Sequence, residues 1–384
     1  MKPWLAEADS GRLAGFGFSE LFRRHRFLQT EKGLRFQVFY DNNPRLHEQI
    51  IDGLQICSPL KIAEDARRIV IFTGAPGPIR RQLTAMGLKE YENFIGAEEF
   101  FALYHWLRSE RIVIQGLAQA LTLKCSLRCL DCTMLITRQK KPEIFSLEEL
   151  KNDIDLLMNF ADGLQNLGLV GGEPLLNPAL PDYINYLRSR YPGRVENLSL
   201  TTNGTIKPSP ELLQTCRDQD VFVNVSDYSS AGLKNYVDKL SKIMTALAAS
   251  NCRHRLQPTD SFWFKRYTDF SEKPLVSGPE ELRRHYHQCQ KQSRCLGLGS
   301  AGRLYPCFMS WSADEAAFVS AGPGDFLDLR ELNPGRREDR LKFLRTALGA
   351  CSPNDFPALC SRCYGNDPAM LRQVPPARQL STAR

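Results

Sequence analysis

The chain has 384 residues, 42% of them hydrophobic, which is enough to bury more than one core and sets an expectation of about two or three domains. A formal charge of +7, from 50 basic and 43 acidic residues, is mild for this length, and no basic block exceeds short groups such as Arg23-Arg24 and Lys140-Lys141, so a nucleic-acid partner is not expected. The opening MKPWLAEADSGR lacks the apolar run of a secretory signal and no stretch approaches the roughly 18 apolar residues of a membrane span, so no membrane partner is expected and a reducing, cytoplasmic location is.

In that setting twelve cysteines point to metal or redox chemistry rather than a disulfide framework. Cys125, Cys129 and Cys132 form one group, Cys289, Cys295 and Cys307 a looser second, and Cys351, Cys360 and Cys363 a third. Cys57, Cys216 and Cys252 stand apart and read as small buried hydrophobes.

Residues 1–111 read as an α/β domain. RLAGFGFSELFRRH predicts a short strand, a glycine turn and a helix; LRFQVFYDNNP predicts a second strand ending near Asp41; RRIVIFTGAPGPIRRQLTAMG is strand, turn and helix again. Such alternation argues for a parallel sheet. Asp41 lies 26 residues beyond Gly15, close to where a dinucleotide fold puts its ribose-binding acid. Glu20, however, occupies the place of the third glycine of G-x-G-x-x-G, where a carboxylate repels phosphate, which argues against nucleotide binding. With its DNNP after the second strand, the segment resembles the small Rossmann-like domains at the front of some sugar-modifying acetyltransferases and methyltransferases, which implies a scaffold or docking role.

Residues 112–252 keep the rhythm. An apolar strand enters the loop KCSLRCLDC; Ser146 and Glu149 stand in capping-box relation and start a helix; then come strands ending in GLVGGEP, NLSLTTNG and VFVNVSDY, with helices between them and a long one from about Gly232 to Ala249. Cysteines and glycine or polar turns thus fall at the carboxyl ends of successive strands, the edge at which parallel sheets bind ligands. Structural zinc takes a closed set of four protein ligands, and no fourth Cys or His lies near the triad in sequence. Three thiolates on one loop suit a [4Fe-4S] cube that leaves one iron open.

C-x3-C-x2-C at the end of a first strand, followed in order by GGEP and TTNG at later strand ends, resembles the signature of the radical SAM superfamily. The resemblance implies a partial (β/α)6-type barrel in which Cys125, Cys129 and Cys132 hold a [4Fe-4S] cluster whose open iron binds S-adenosylmethionine (SAM). It implies SAM contacts from Gly171, Gly172, Glu173 and Pro174 of the second-strand turn, from Thr202 and Asn203 of the later turn, and from Ser226 at a further strand end. Asp131 departs from the family pattern, which has an aromatic just before the third cysteine.

In residues 253–384, Cys289, twelve residues, Gly302, four residues and Cys307 resemble the opening of the SPASM and twitch extensions of such enzymes, with Cys360-x2-Cys363 as the far half. The full SPASM continuation is absent. A twitch-like extension in which Cys289, Cys307, Cys360 and Cys363 hold a second [4Fe-4S] cluster is implied, with Cys295 as the alternate first ligand and a zinc ribbon on the same thiolates as the other reading. The stretch beyond Pro368, with its prolines and basic residues, is expected to be mobile.

What the resemblance implies for function is reductive cleavage of SAM to a 5′-deoxyadenosyl radical, with electrons from a flavodoxin or ferredoxin, and abstraction of hydrogen from a small-molecule substrate. The front domain favours a carbohydrate or nucleotide-sugar, dehydrogenated or epimerised. Peptide maturation is the alternative, and a non-catalytic iron-sulfur or zinc scaffold a third. Cys216, Cys252, Cys295 and Tyr228 are conceivable hydrogen donors, though packing roles suit them better.

Overall fold

A computed structural model describes residues 2–19, 22, 34–65, 67–73, 76–258, 262–289, 296–322, 324–349, 356–365, 370 and 372–380. Glu20, Cys295 and Cys351 lie outside the described residues. The chain divides into two compact units, Met1–Arg111 and Ile112–Arg384.

The first unit is built on strands β1 (Leu13–Phe16), β2 (Phe36–Tyr40), β3 (Ile50–Ile51), β4 (Leu54–Cys57), β5 (Ile69–Ile71) and β6 (Phe94–Gly96), in the order β3-β4-β2-β1-β5-β6. All pairs are parallel except β3-β4. The first strand is central and the order reverses between β1 and β5, as at the switch point of a doubly wound sheet. Among the described residues, helices α1 (Lys2–Asp9), α2 (Pro76–Ala85) and α3 (Ala97–Ser109) accompany the sheet. Its strands are apolar on both sides, as a parallel sheet requires: Ile69 and Ile71 belong to one buried cluster and Val70 to another. Asp41 does not present a free carboxylate. One oxygen accepts the Phe18 N–H at 2.9 Å and the other the Asn43 N–H at 2.8 Å, so the acid closes the turn after Gly17 and holds Asn43, whose own side chain caps the short Pro44–Leu46 helix.

The second unit holds β7 (Val113–Ile114), β8 (Leu117–Ala120), β9 (Gly163–Val170), β10 (Val195–Thr202), β11 (Val221–Asp227), β12 (His254–Pro258), β13 (Trp263–Lys265), β14 (Leu296–Gly299), β15 (Arg303–Tyr305), β16 (Leu327–Asp328) and β17 (Arg372–Val374). A nine-stranded sheet runs β12-β11-β10-β9-β8-β14-β15-β16, with β7 on β9. From β12 to β14 every pairing is parallel, while β15 and β16 add antiparallel. Among the described residues this path is open: β14, from beyond residue 253, pairs with β8 on the side away from β9. β13 and β17 form a separate antiparallel pair.

Connecting helices are α4 (Leu147–Met158), α5 (Leu180–Arg190), α6 (Pro210–Asp218) and α7 (Tyr236–Ala249). α4 begins where the capping box predicts: Glu149 accepts the Ser146 N–H at 2.8 Å, and Ser146 Oγ accepts the Glu149 N–H at 3.3 Å. Ser209 caps α6 in the same way, at 3.1 Å to Leu212 N, ahead of Pro210. α7 starts four residues later than Gly232, because residues 229–231 form a tight turn that Gly232 ends at φ +66°. Leu167, Leu169, Leu198, Leu200, Val223 and Val225 fill the core against these helices.

Candidate active site

At the carboxyl end of β8 the chain enters the cysteine loop, which is anchored before its first thiol. Thr122 Oγ1 donates to Glu143 O at 2.7 Å and accepts the Lys124 N–H at 2.9 Å. The end of β9 is laced to the same stretch: Gly172 N donates to Thr122 O at 2.8 Å and Glu173 N to Lys124 O at 2.8 Å. Backbone lies so close to backbone here that a side chain is excluded. A Cβ at Gly171, which has φ +145°, would stand 2.5 Å from Thr122 O, and one at Gly172 would stand 2.0 Å from Lys124 O. The two glycines are therefore demanded by the contact between strand end and cysteine loop.

Glu173 follows, fully buried, and opens the short Pro174–Leu176 helix. One carboxylate oxygen accepts the Thr202 hydroxyl at 2.8 Å and the Leu175 N–H at 3.2 Å; the other accepts the Asn203 N–H at 2.8 Å. Burial pushes its pKa up, opposed by these donors. Asn203 then reaches back to the loop, with Nδ2 3.4 Å from Cys125 Sγ and 3.0 Å from Ser126 Oγ. The next strand end joins through Tyr236 at the start of α7: its hydroxyl lies 3.0 Å from Asn203 O and 2.6 Å from Ser226 O, and accepts the Tyr228 N–H at 3.2 Å. Three strand ends and the loop thus form one connected polar frame. Tyr236 was not singled out by the sequence, where a tyrosine at a helix start carries no signal of a contact more than thirty residues back.

The three loop thiols are free. Burial first, with neighbouring thiols of the group adding to it, pushes Cys125 up to about 11 and Cys129 up to about 12. Cys132 is raised as well, with the backbone N–H groups of Ile136, Met134 and Leu135 facing its sulfur in opposition. Each sulfur has N–H donors: Leu127 N at 3.4 Å on Cys125 and Gln379 Nε2 at 3.3 Å on Cys129. Thiols that are buried together and supplied with N–H groups suit thiolates neutralised by iron. Among the described residues no three His, Cys, Asp or Glu side chains converge on a single ion position. A cube spaces its ligands more widely, since each thiolate binds a different iron.

Gln379 corrects the expectation of mobility beyond Pro368. Arg372–Val374 pairs with β13, and further along Leu130 N donates to Arg378 O at 2.8 Å and Leu380 N to Arg128 O at 2.7 Å. Ala377 is fully buried. Arg378 stands 3.4 Å from Asp131, the residue that departs from the family pattern.

Cys289, Cys307, Cys360 and Cys363 line one recess, together with His285, Tyr286, Met309, Ser310, Leu359 and Gly365. Cys289 ends helix α8 (Pro279–Gln288), Cys307 precedes α9 (Phe308–Glu315), and Cys360 and Cys363 sit in and just after the short Ala358–Arg362 helix. Gly302 turns β14 into β15 at φ +70° and donates its N–H to Asp153 at 2.7 Å. Cys363 is pushed up to about 12 by burial, with Cys289 and Cys307 adding to it. Its sulfur accepts the Gly365 N–H at 3.3 Å and its carbonyl oxygen lies 2.7 Å from His285 Nε2. Between the two cysteine groups stands Tyr267: its hydroxyl donates to Thr133 O at 2.7 Å, its backbone bridges Cys363, and Cys363, Cys307 and Cys132 all act on its phenol.

Tyr228 lies within electrostatic reach of Cys129 and Cys132, against the ring of Trp263 at 5.6 Å, and burial raises its phenol. Cys216 and Cys252 are buried near each other, with Cys252 Sγ donating to Leu213 O at 3.2 Å, in keeping with packing roles. Cys57 ends β4 in the first unit and is likewise buried.

Residues 120–244, which run from the end of β8 into α7, match the family model described as the radical SAM superfamily. This segment is a radical SAM domain. Its cofactors are accordingly a [4Fe-4S] cluster and SAM, and the thiols and turns described above fit them. A GTP 3',8-cyclase of Syntrophomonas wolfei is 35% identical over 89 residues, 23% of this chain and 26% of that protein. One of Erythrobacter litoralis is 39% identical over 95 residues, 24% of this chain and 27% of the relative. A probable GTP 3',8-cyclase of Methanococcus maripaludis is 29% identical over 93 residues, covering 24% and 30%. The chain therefore spans between about a quarter and a third of these relatives. Among solved structures, BtrN in complex with AdoMet and 2-DOIA aligns over 66% of this chain and 94% of its own, with TM-score 0.41 and 15% identity. Native anSMEcpe with bound AdoMet and Kp18Cys peptide aligns over 65% and 92%, with TM-score 0.39 and 13% identity. Among the described residues no helix is long and apolar enough to cross a membrane.

Proposed function

We propose that this radical SAM enzyme is an oxidoreductase or epimerase acting on a carbohydrate or nucleotide-sugar in the cytoplasm, reduced by a flavodoxin- or ferredoxin-type donor. Cys125, Cys129 and Cys132 hold the SAM cluster; Gly171, Gly172, Glu173, Pro174, Thr202, Asn203 and Ser226 shape the SAM site; Cys289, Cys307, Cys360 and Cys363 hold a second [4Fe-4S] cluster. When bound, cluster and SAM supply one electron and a hydrogen-abstracting group at the 5′ carbon.

The chain's own part is position and exclusion. Glu173 locks the two turns that flank the cluster loop, so the SAM site is set before the ligand arrives. Tyr228 and Trp263 supply an apolar wall beside Cys129 and Cys132, which keeps water from the reacting carbon. A neutral phenol there can also approach the substrate.

The observation that supports the second cluster, and with it an oxidation or epimerisation, is the recess lined by four cysteines, one of which, Cys363, is bridged to Tyr267, whose hydroxyl reaches Thr133 beside Cys132. Support for the substrate class comes from the Rossmann-like order of the first unit and from the partial likeness to enzymes named for a nucleotide. The test is deuterium transfer. The anaerobically loaded enzyme is given SAM, dithionite and a panel of ring-deuterated sugars, nucleotide-sugars and nucleotides, with cysteine- and serine-containing peptides alongside. Deuterium in 5′-deoxyadenosine from a sugar-bearing member is expected. Transfer from peptides alone would move the enzyme to peptide maturation.

A further inference from the structure

Segment 377–380 meets the cysteine loop at one residue pair. Cys129 and Gln379 form an isolated antiparallel bridge, framed by the hydrogen bonds Leu130 N to Arg378 O at 2.8 Å and Leu380 N to Arg128 O at 2.7 Å. The two residues are 250 positions apart in the chain.

The orientation of the Gln379 amide is fixed by its neighbours. Its Oε1 accepts the Arg128 N–H at 2.8 Å, a donor that only an oxygen can satisfy. Its Nε2 lies 2.5 Å from Ala377 O, an acceptor that only an N–H can satisfy. The remaining N–H points at Cys129 Sγ, at 3.3 Å. Flipping the amide would set oxygen against oxygen at Ala377 and N–H against N–H at Arg128. Ala377 itself is fully buried and held at φ +49°, so the turn that presents Gln379 is a firm one. Arg378, 3.4 Å from Asp131, adds a tie outside the bridge.

We propose that Gln379 is a positioning residue for the SAM cluster, whose amide N–H hydrogen-bonds the Cys129 thiolate and raises the cluster's reduction potential. An N–H donor stabilises negative charge on a ligating sulfur, and the reduced cluster carries one more electron than the oxidised one, so the bond favours reduction. Cys125 receives the corresponding donor from Asn203 within the SAM turn. For Cys129 the donor is brought from a remote segment, which couples reducibility of the cluster to docking of 377–380. The proposal rests on Cys125, Cys129 and Cys132 holding that cluster.

The test is a redox titration of the full chain, loaded anaerobically, following the electron paramagnetic resonance signal that changes when SAM is added. Gln379→Leu removes both polar ends. Gln379→Glu keeps the acceptor for Arg128 N–H but replaces the donor by an anion. At the wild-type midpoint the reduced-to-oxidised ratio should fall about tenfold in Gln379→Leu, equivalent to about 59 mV for one electron, and further in Gln379→Glu. Arg378→Ala, which removes the ion pair and leaves the amide, should titrate as wild type. Wild-type midpoints in both Gln379 variants, at full iron content, would overturn the proposal. If Gln379→Leu fails to load, hyperfine spectra of the wild type and of Gln379→Glu in H2O and D2O decide: one weakly coupled exchangeable proton present in the wild type and missing in Gln379→Glu, beside those of the other N–H donors, supports the bond, and the same set of exchangeable couplings in both proteins overturns it. A wild type that loads no cluster would instead sink the reading beneath it.

Discussion

The carboxylate of Glu173 accepts the backbone N–H of Asn203 at 2.8 Å from within a fully buried position, and so ties the end of β9 to the turn after β10. Glu173→Gln keeps one acceptor and turns an N–H toward a donor. Loss of a charged, buried hydrogen bond should destabilise the fold by about 1–3 kcal/mol. Thermal unfolding should show the drop, and isothermal titration should show weaker SAM binding. Unchanged SAM affinity in Glu173→Gln would mean that the carboxylate is structural alone.

Gly172→Ala would bring a Cβ to 2.0 Å from Lys124 O. Two backbone segments would have to separate, at a cost of about 1–3 kcal/mol or more, and the cysteine loop would shift with them. Iron content after reconstitution and 5′-deoxyadenosine yield should fall together. Retention of both would show that the loop tolerates displacement from β9.

Tyr236→Phe strips the hydroxyl shared by Asn203 O, Ser226 O and Tyr228 N. Leaving buried partners unsatisfied should cost about 1–3 kcal/mol. The melting temperature should drop and KM for SAM rise several-fold, with kcat affected less, because the hydroxyl orients the turns without meeting the reacting carbon.

Asp153, in α4, is buried and accepts the Gly302 N–H at 2.7 Å. Burial pushes its pKa up to about 6, opposed by that bond and by Arg330 and assisted by Glu149. An acid whose folded pKa is raised binds more protons when folded, so its contribution is fully present below about pH 4 and is lost as pH rises through about 6. Asp153→Asn keeps an acceptor for Gly302 and removes the buried charge. At pH 7 it should stabilise the protein by on the order of 2–3 kcal/mol, and unfolding midpoints measured across pH 4–7 should lose this part of their slope. A variant less stable than wild type at pH 7 would show that the ionised carboxylate is needed.

Much of this was legible in the sequence because it is local. Ser146 with Glu149 announces a helix start, and cysteines or glycines after apolar runs announce loops at strand ends. The grouping of Cys289, Cys307, Cys360 and Cys363 is implied by the resemblance to twitch extensions, with Cys295 as the alternate, and these four line one recess. The start of α7 was misplaced because Gly232, taken as helical, sits in the left-handed region and ends a preceding turn. Asp41 shows the limit of positional analogy, since its carboxylate is held by the Phe18 and Asn43 N–H groups. Tyr236, Tyr267 and Gln379 had no signal at all. Each acts through a contact with residues far off in the chain, and the prolines and charges around Gln379 read as a solvated stretch until Ala377 is seen to be buried.

The central claim is that Cys125, Cys129 and Cys132 hold a cluster able to cleave SAM. It is tested most directly by anaerobic reconstitution of the wild type and of Cys129→Ala, with iron and sulfide counted and 5′-deoxyadenosine measured after adding SAM and dithionite. The account predicts about eight irons and cleavage in the wild type, and about four irons with no cleavage in the variant. Equal iron content and equal 5′-deoxyadenosine in the two proteins would contradict it.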